Sequence, residues 1–281
     1  MGVRLRKCKK KYLIRIYKIK VTKAHGTHNH FLICHSNDKR VHSKESLLSI
    51  IDQDQSDRID GILILSDKEG LDFKMDYYNN DGTWETMCAN GARCAVLYMY
   101  GKGYIKNKKM RFEAGDGIHH AEIIKDGYVK LKMITPKYCS NEIALLGISG
   151  FHIDSGATHF TVEYPNIKDE EVKRLGSKIR YDIYFSPKGI NVNFYEVIDI
   201  HNIYVKTYEK GIEDLMMSCG SGAVACAFHL SRIKQVRSPL TVNVPGGKLV
   251  INFTNDWDEV WLSGPAKIEF DINIELLNSE V

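Results

Sequence analysis

Cys88 and Cys219 stand in matched segments 131 residues apart: M-C-A-N-G-A-R-C-A-V-L-Y at 87–98 and S-C-G-S-G-A-V-A-C-A-F-H at 218–229. In each, a predicted strand gives way to the cysteine, then to small residues, then to an apolar run with helical character. A helix start leaves backbone N–H groups without partners and carries partial positive charge. Small residues there admit a ligand carboxylate, and the same field favours a thiolate over a thiol. A free thiol with a pKa near 8.5 needs about 2 kcal/mol to ionise at pH 7. A helix terminus supplies roughly 0.3–1 kcal/mol, and up to about 2 when partly buried. The chemistry such a pair suits is inversion of a carbon centre. One sulfur removes a proton from one face while the other delivers a proton to the opposite face, and the two share a single proton and titrate together. No cofactor is called for, since neither turn forms G-x-G-x-x-G or a Walker loop. Free cysteine is also among the most buried residue types, so the repeat by itself leaves a core role open. For Cys94 and Cys226, inside the apolar runs, the core role is the natural reading.

The elements that hold these cysteines repeat as well. The offset of 131 persists downstream, relating Gly115 to Gly246, and Val129 and Leu131 to Val260 and Leu262. Upstream, H-N-H-F at 28–31 resembles A-T-H-F at 157–160 with an offset of 129. In the first unit F-K-M-D-Y-Y alternates like a half-buried strand, and the run after Cys88 stops at Gly101 and Gly103. H-A-E-I-I-K and Y-V-K-L-K-M flank Asp126-Gly127, a hairpin signal. In the second unit I-Y-V-K-T-Y precedes the cysteine, and K-L-V-I-N-F and E-V-W-L follow it. The pattern predicts an α+β fold of two pseudo-symmetric, duplicated domains of antiparallel strands around a central helix, with the site in the cleft between them. Residues 18–135 plus 265–281 form the expected first domain and 136–264 the second, after a basic extension at 1–17. The segment from about residue 265 is too short to be a domain and must pack on one of the halves.

The bulk properties fit this reading. The 281 residues are 43% hydrophobic and 26% charged, with a net charge of +4, the balance of a globular chain. Seven basic residues with no acidic one fall in 1–16. Without them the chain is slightly acidic, which argues against nucleic acid as a partner. No apolar run approaches the roughly 18 residues of a membrane helix, and the basic start is no secretory signal because its apolar residues are interleaved with lysine and arginine. The expected location is therefore the cytoplasm. The seven cysteines include no C-x-x-C pair and read as free or catalytic thiols.

Four motifs in order resemble the diaminopimelate epimerase family, over the chain from about Lys18 to its end. The family's N-x-D-G-x-x-x-x-x-C-G-N-G-A-R-C stands as N-N-D-G-T-W-E-T-M-C-A-N-G-A-R-C from Asn79 to Cys94. Its Y-E-R-G and C-G-[ST]-G stand as Y-E-K-G and C-G-S-G between Tyr208 and Gly222. H-G-x-x-N-D-F stands as H-G-T-H-N-H-F from His25, and N-V-x-F at Asn191 to Phe194. The resemblance implies Cys88 and Cys219 as proton donor and acceptor, with Asn90, Gly91, Gly220 and Ser221 holding the reacting carboxylate. It implies that Asn29, Asn79, Asn191, Glu209 and Lys210 recognise the substrate, several of them at its distal amino-acid end. It also implies interconversion of LL- and meso-2,6-diaminopimelate for lysine and cell-wall synthesis, and a homodimer as the common assembly. This chain departs from the family at Ala89 (Gly), Ala157 (Asn) and Lys210 (Arg), the last two in the distal set. An alternative is a related racemase or epimerase for another amino acid, of histidine or proline/hydroxyproline type. A metal is not expected: His25, His28 and His30, with Cys34 and His35 nearby, lack the paired spacing of zinc sites. In one continuous strand His28 and His30 would share a face and His25 would point away.

Overall fold

The computed structural model describes residues 14–54 and 58–279; the basic extension lies outside them up to residue 13. Strand β1 (Ile14–Gly26) returns as β2 (Asn29–His35) through Thr27 and His28, whose φ values are +53° and +58°. Helix α1 (Lys44–Asp52), capped by Ser43 Oγ accepting from the Ser46 N–H at 3.1 Å, crosses over to β3 (Gly61–Ser66). Next come β4 (Phe73–Asn79), the two-residue β5 (Trp84–Glu85) and helix α2 (Ala89–Gly101). Strands β6 (Lys109–Ala114), β7 (Gly117–Lys125) and β8 (Tyr128–Lys132) complete the first half.

After β9 (Lys137–Leu145) the order repeats: β10 (Ile148–Asp154), β11 (Thr158–Glu163), helix α3 (Asp169–Arg180), β12 (Asn191–Asp199), β13 (Asn202–Glu209) and β14 (Asp214–Met216). Helix α4 (Gly220–Arg232), β15 (Leu240–Val244), β16 (Gly247–Phe253) and β17 (Val260–Pro265) follow, and β18 (Lys267–Ser279) closes the chain.

Hairpins make most of the ladders antiparallel, as the turn residues predict. The crossovers add four parallel pairs that alternation alone does not reveal: β2 with β3, β4 with β6, β11 with β12 and β13 with β15. Helices α1 and α3 are further additions to the sequence reading. Helix α3 had a legible signal: Val172, Leu175, Gly176 and Ile179, at i, i+3, i+4 and i+7, are its buried stripe, with acids in the first turn and bases in the last.

The last strand of each repeat pairs with the first strand of the other, β9 with β10 and β18 with β1, while β8 pairs with β17. The segment after residue 265 thus packs on the first half. The 131-residue register also recurs as a bond: the Gly115 N–H donates to Thr86 O at 2.8 Å and the Gly246 N–H to Met217 O at 2.7 Å. Helices α2 and α4 are buried on nearly all sides, and one apolar core from both halves encloses them. Outer cores lie beneath α1 and α3. Burying a helix all round fixes its axis, and with it the position of its first turn.

Candidate active site

Cys88 and Cys219 are the N-cap residues of α2 and α4, with φ/ψ of −131°/117° and −129°/110°. The two helix starts meet. A Cβ built on Gly220 would lie 2.9 Å from the Ala89 Cβ and 2.8 Å from Leu262 Cδ2, so only one of the two positions can carry a methyl group. Ala89 is the first helical residue and keeps a negative φ, which makes the loss of the family's glycine harmless. Both cysteines open on one cleft of about 380 Å³, a size that suits a small amino acid.

Ten of the eleven sequence-predicted residues line this cleft: Cys88, Cys219, Asn29, Asn79, Asn90, Asn191, Glu209, Lys210, Gly220 and Ser221. Gly91 does not. It is buried as the third residue of α2, where an added Cβ would meet Leu63 Cδ2 at 2.9 Å, and its N–H bonds the Cys88 sulfur.

The asparagines show how the cleft is wired. Asn90 Nδ2 donates to Asn29 Oδ1 at 3.1 Å and to Ser218 O at 2.9 Å, and its Oδ1 accepts from Arg93 at 2.8 Å. One amide hydrogen holds Asn29 within the first half and the other reaches Ser218 in the second, so neither is left for a ligand. Asn29, Asn79 and Asn191 are different. Their carbonyl oxygens accept from Asn90, from the Tyr77 hydroxyl at 2.9 Å and from the Lys210 N–H at 2.9 Å. Their amide nitrogens donate to Asp60 at 2.6 Å, Thr83 at 3.3 Å and Thr158 O at 3.1 Å. An amide nitrogen carries two hydrogens, so each locked side chain keeps one donor in reserve.

Burial decides the protonation of the thiols. Desolvation raises Cys88 to about 12, with Glu209 adding to the rise, while the Gly91 and Asn90 N–H groups and the Arg93 guanidinium oppose it. Cys219 is pushed up too, first by desolvation and then by Glu209, against the Gly222 N–H and the Ser221 hydroxyl. The helix starts act in the expected direction, but their field is outweighed by burial. Glu209 rises to about 7, first through desolvation and then through Asp60, while a hydrogen bond with Cys219 lowers it.

A family match decides the lineage: the family described as diaminopimelate epimerase matches residues 21–138 and 151–269. The chain belongs to the diaminopimelate epimerase family. Diaminopimelate epimerases of Flavobacterium psychrophilum and Aquifex aeolicus are each 33% identical to it over 267 residues, spanning 91% and 89% of this chain and 100% and 95% of theirs. Among solved structures, a phenazine biosynthesis protein of the PhzF family from Bacillus anthracis superposes with a TM-score of 0.72 at 11% identity, covering 92% of this chain and 99% of that one. A hydroxyproline epimerase from Agrobacterium vitis, with bound trans-4-hydroxy-L-proline, gives 0.68 at 13% identity, covering 92% and 93%. These two likenesses concern the fold alone.

Within this epimerase-family cleft the structure adds residues that motif reading passed over. Arg93, fully buried, donates to Thr27 Oγ1 and Asn90 Oδ1, both at 2.8 Å, and to Ala89 O at 3.2 Å. It forms no ion pair with a described residue, and its placement in the G-A-R-C run was the available signal. His159 Nε2 bonds Ser221 Oγ at 2.9 Å and its Nδ1 meets Asn193 Nδ2 at 3.0 Å; burial lowers it to about 3, so it is neutral and accepts at Nδ1. Asp116 pairs with His119 at 2.7 Å on the rim. Glu85, Lys132 and Lys188 also line the cleft. Nearby, the left-handed turn at Thr27 and His28 sets His25 opposite His30, correcting the expectation that His25 points away; the three rings lie 5.0, 5.2 and 6.4 Å apart. Among the described residues no three His, Cys, Asp or Glu side chains are placed to hold a metal ion, and no helix is long and apolar enough to cross a membrane.

Proposed function

We propose that this chain interconverts LL- and meso-2,6-diaminopimelate by moving protons between two cysteines across one α-carbon. The observation that carries the reading is the pair of matched N-cap cysteines, one from each half, opening on a single cleft. The reacting α-carbon sits between the sulfurs. Its carboxylate faces the first turns of α2 and α4, where the N–H groups of both helices stabilise the charge that builds up as the α-proton leaves. Ser221 adds a hydroxyl and Asn90 and Gly220 their backbone, while Gly91 acts from behind through Cys88. Glu209 stands beside Cys219 and offers its carboxylate to a substrate ammonium. Its arrival there brings a positive charge that favours thiolate. The spare amide hydrogens of Asn29, Asn79 and Asn191 suit carboxylate oxygens. The Lys210 ammonium replaces the family's guanidinium as a point charge, without the fork. The expected setting is the cytoplasm, where free thiols persist.

The test is exchange in D₂O with reduced protein. Deuterium should appear at one α-carbon of diaminopimelate and at none in histidine or proline. Exchange into histidine or proline in preference to diaminopimelate would favour the related-racemase reading, and no exchange into any of them would overturn the two-cysteine mechanism.

A further inference from the structure

Two turns of the second half carry charged side chains onto the cleft wall: 186–190 with Lys188, and 209–213 with Glu209 and Lys210. The peptide that joins Glu209 to Lys210 is gripped by both its edges. Its C=O accepts from the Glu213 N–H at 2.8 Å, and its N–H donates to Asn191 Oδ1 at 2.9 Å. A planar unit held at both edges cannot swing, and the direction of the Glu209 side chain is set with it. Glu213 makes its bond with φ at +58°, a left-handed backbone that a glutamate keeps only where its surroundings over-determine it. Its carboxylate folds back on the turn. Glu213 Oε1 accepts from the Gly211 N–H at 3.0 Å and from Arg180 Nε at 3.2 Å, with Arg180 Nη2 at 3.1 Å.

Arg180 ends α3, and its side chain is only 13% exposed. The helix lies against the strand that delivers Glu209: a Cβ built on Gly176 would overlap the Tyr208 side chain. The guanidinium also fills the space beside the other turn, since a Cβ built on Gly189 would overlap Arg180 Nη1. That turn, closed by the Gly189 N–H donating to Phe185 O at 2.7 Å, leads into Asn191 at the start of β12. Arg180 therefore touches both jaws of the grip, Glu213 on one side and the backbone leading to Asn191 on the other. Neither Arg180 nor Glu213 lines the cleft itself. The turn after Asn79 in the first half is closed by its own residues, Asn79 N–H donating to Thr83 O at 2.8 Å and Thr83 N–H to Asp81 Oδ1 at 2.9 Å. The turn after Glu209 relies on a side chain from another element.

We propose that Arg180 is a positioning residue for the reaction: through Glu213 it holds the Glu209–Lys210 peptide, and so aims the Glu209 carboxylate into the cleft beside Cys219. This rests on the proposed two-cysteine reaction, in which Glu209 meets a substrate ammonium. Misplacing such a group by about 1 Å costs up to about 100-fold in rate, which sets the size of the effect.

Two measurements on the full-length reduced protein separate this role from a merely structural one. The first is a double-mutant cycle in the steady-state epimerisation of diaminopimelate, with Arg180→Met and Arg180→Lys made in the parent and in Glu209→Gln. In the parent, Arg180→Met should lower kcat/KM about 10–100-fold, and Arg180→Lys should recover most of that loss. In Glu209→Gln, Arg180→Met should cost less than about 2-fold, because the carboxylate it aims is gone. The second is hydrogen exchange at the Lys210 and Glu213 amides, the two donors of the grip. Arg180→Met should speed it at least about 10-fold while the amides of α4 keep the parent's rates. Glu213→Gln, which keeps an acceptor for Gly211 and loses the ion pair, should behave like Arg180→Met in both measurements. Unchanged exchange at both amides would overturn the grip whether or not the protein is active. Parent protein that does not turn over diaminopimelate would defeat the proposed reaction, and with it the aiming of Glu209 at a substrate. Turnover with no loss in Arg180→Met, or with equal losses in both backgrounds, would defeat this inference alone.

Discussion

The two halves present the same cysteine in the same backbone geometry but surround it differently. Behind Cys88 lies Arg93, a buried cation with no carboxylate partner among the described residues, bonded to Thr27, Ala89 and Asn90. The equivalent position behind Cys219 is Val224, and polarity comes instead from the neutral His159 through Ser221 and from Glu209. The strand that leads to Cys88 ends at Asn79 and the one that leads to Cys219 ends at Glu209. Duplication therefore preserved the sulfur and its helix start on both sides, which is what the proposed proton transfer needs equally. It let diverge what must differ because the substrate's own ammonium and side chain break the symmetry. The result is a buried cation on the Cys88 side and, on the Cys219 side, a carboxylate whose charge is felt at both sulfurs.

If the sulfurs are equal partners, Cys88→Ala and Cys219→Ala should each lower epimerisation by at least about 10³-fold, with unfolding midpoints close to the parent. A loss below about 10-fold in either would break the equivalence. Arg93→Met tests the positive side. It strands Thr27 Oγ1, Asn90 Oδ1 and Ala89 O in the interior, and denaturant melts should show a loss of about 3–5 kcal/mol. A near-neutral change would mean that the guanidinium is not the group holding the interface.

Glu209→Gln tests the negative side, and its sign depends on pH. Glu209 holds its proton in the folded protein up to about 7, whereas an unfolded glutamate ionises near 4.3. The folded state is therefore penalised as pH rises through that window and unpenalised below it. The variant should melt several °C higher than the parent at pH 8, reflecting about 3–4 kcal/mol, and nearly with it at pH 4. Its activity should fall about 10²-fold. The parent's kcat/KM should climb through pH 7 as Glu209 ionises, and that limb should vanish in the variant.

The smallest effect lies where the helix starts touch. Gly220→Ala, which drives a methyl against Ala89, should cost about 1–3 kcal/mol. Ala89→Gly should cost under about 1 kcal/mol. The double variant should recover most of the first loss. Additive losses would show that Leu262, the other close neighbour, is the true obstacle.

Local signals made much of this legible. The strands before each cysteine, the stop at Gly101 and the Asp126–Gly127 hairpin follow from turn chemistry and two- or 3.6-residue periods, and all appear in the structure. The parallel pairings and helix α1 did not show, because a crossover is defined by where a strand lands and not by its own composition. His25 was misplaced because the reading assumed a continuous strand where two consecutive positive φ values make a turn.

By itself the sequence determined the duplication, the two cysteines and the set of polar residues around them, since identity and spacing are properties of the chain. Only the tertiary structure decided which of those polar atoms are spent and which remain. Asn90 is saturated while Asn79 keeps a donor. It also decided that burial raises the thiols instead of lowering them. Desolvation and hydrogen-bond saturation depend on everything packed around a group, and that surrounding is assembled from residues far apart along the chain.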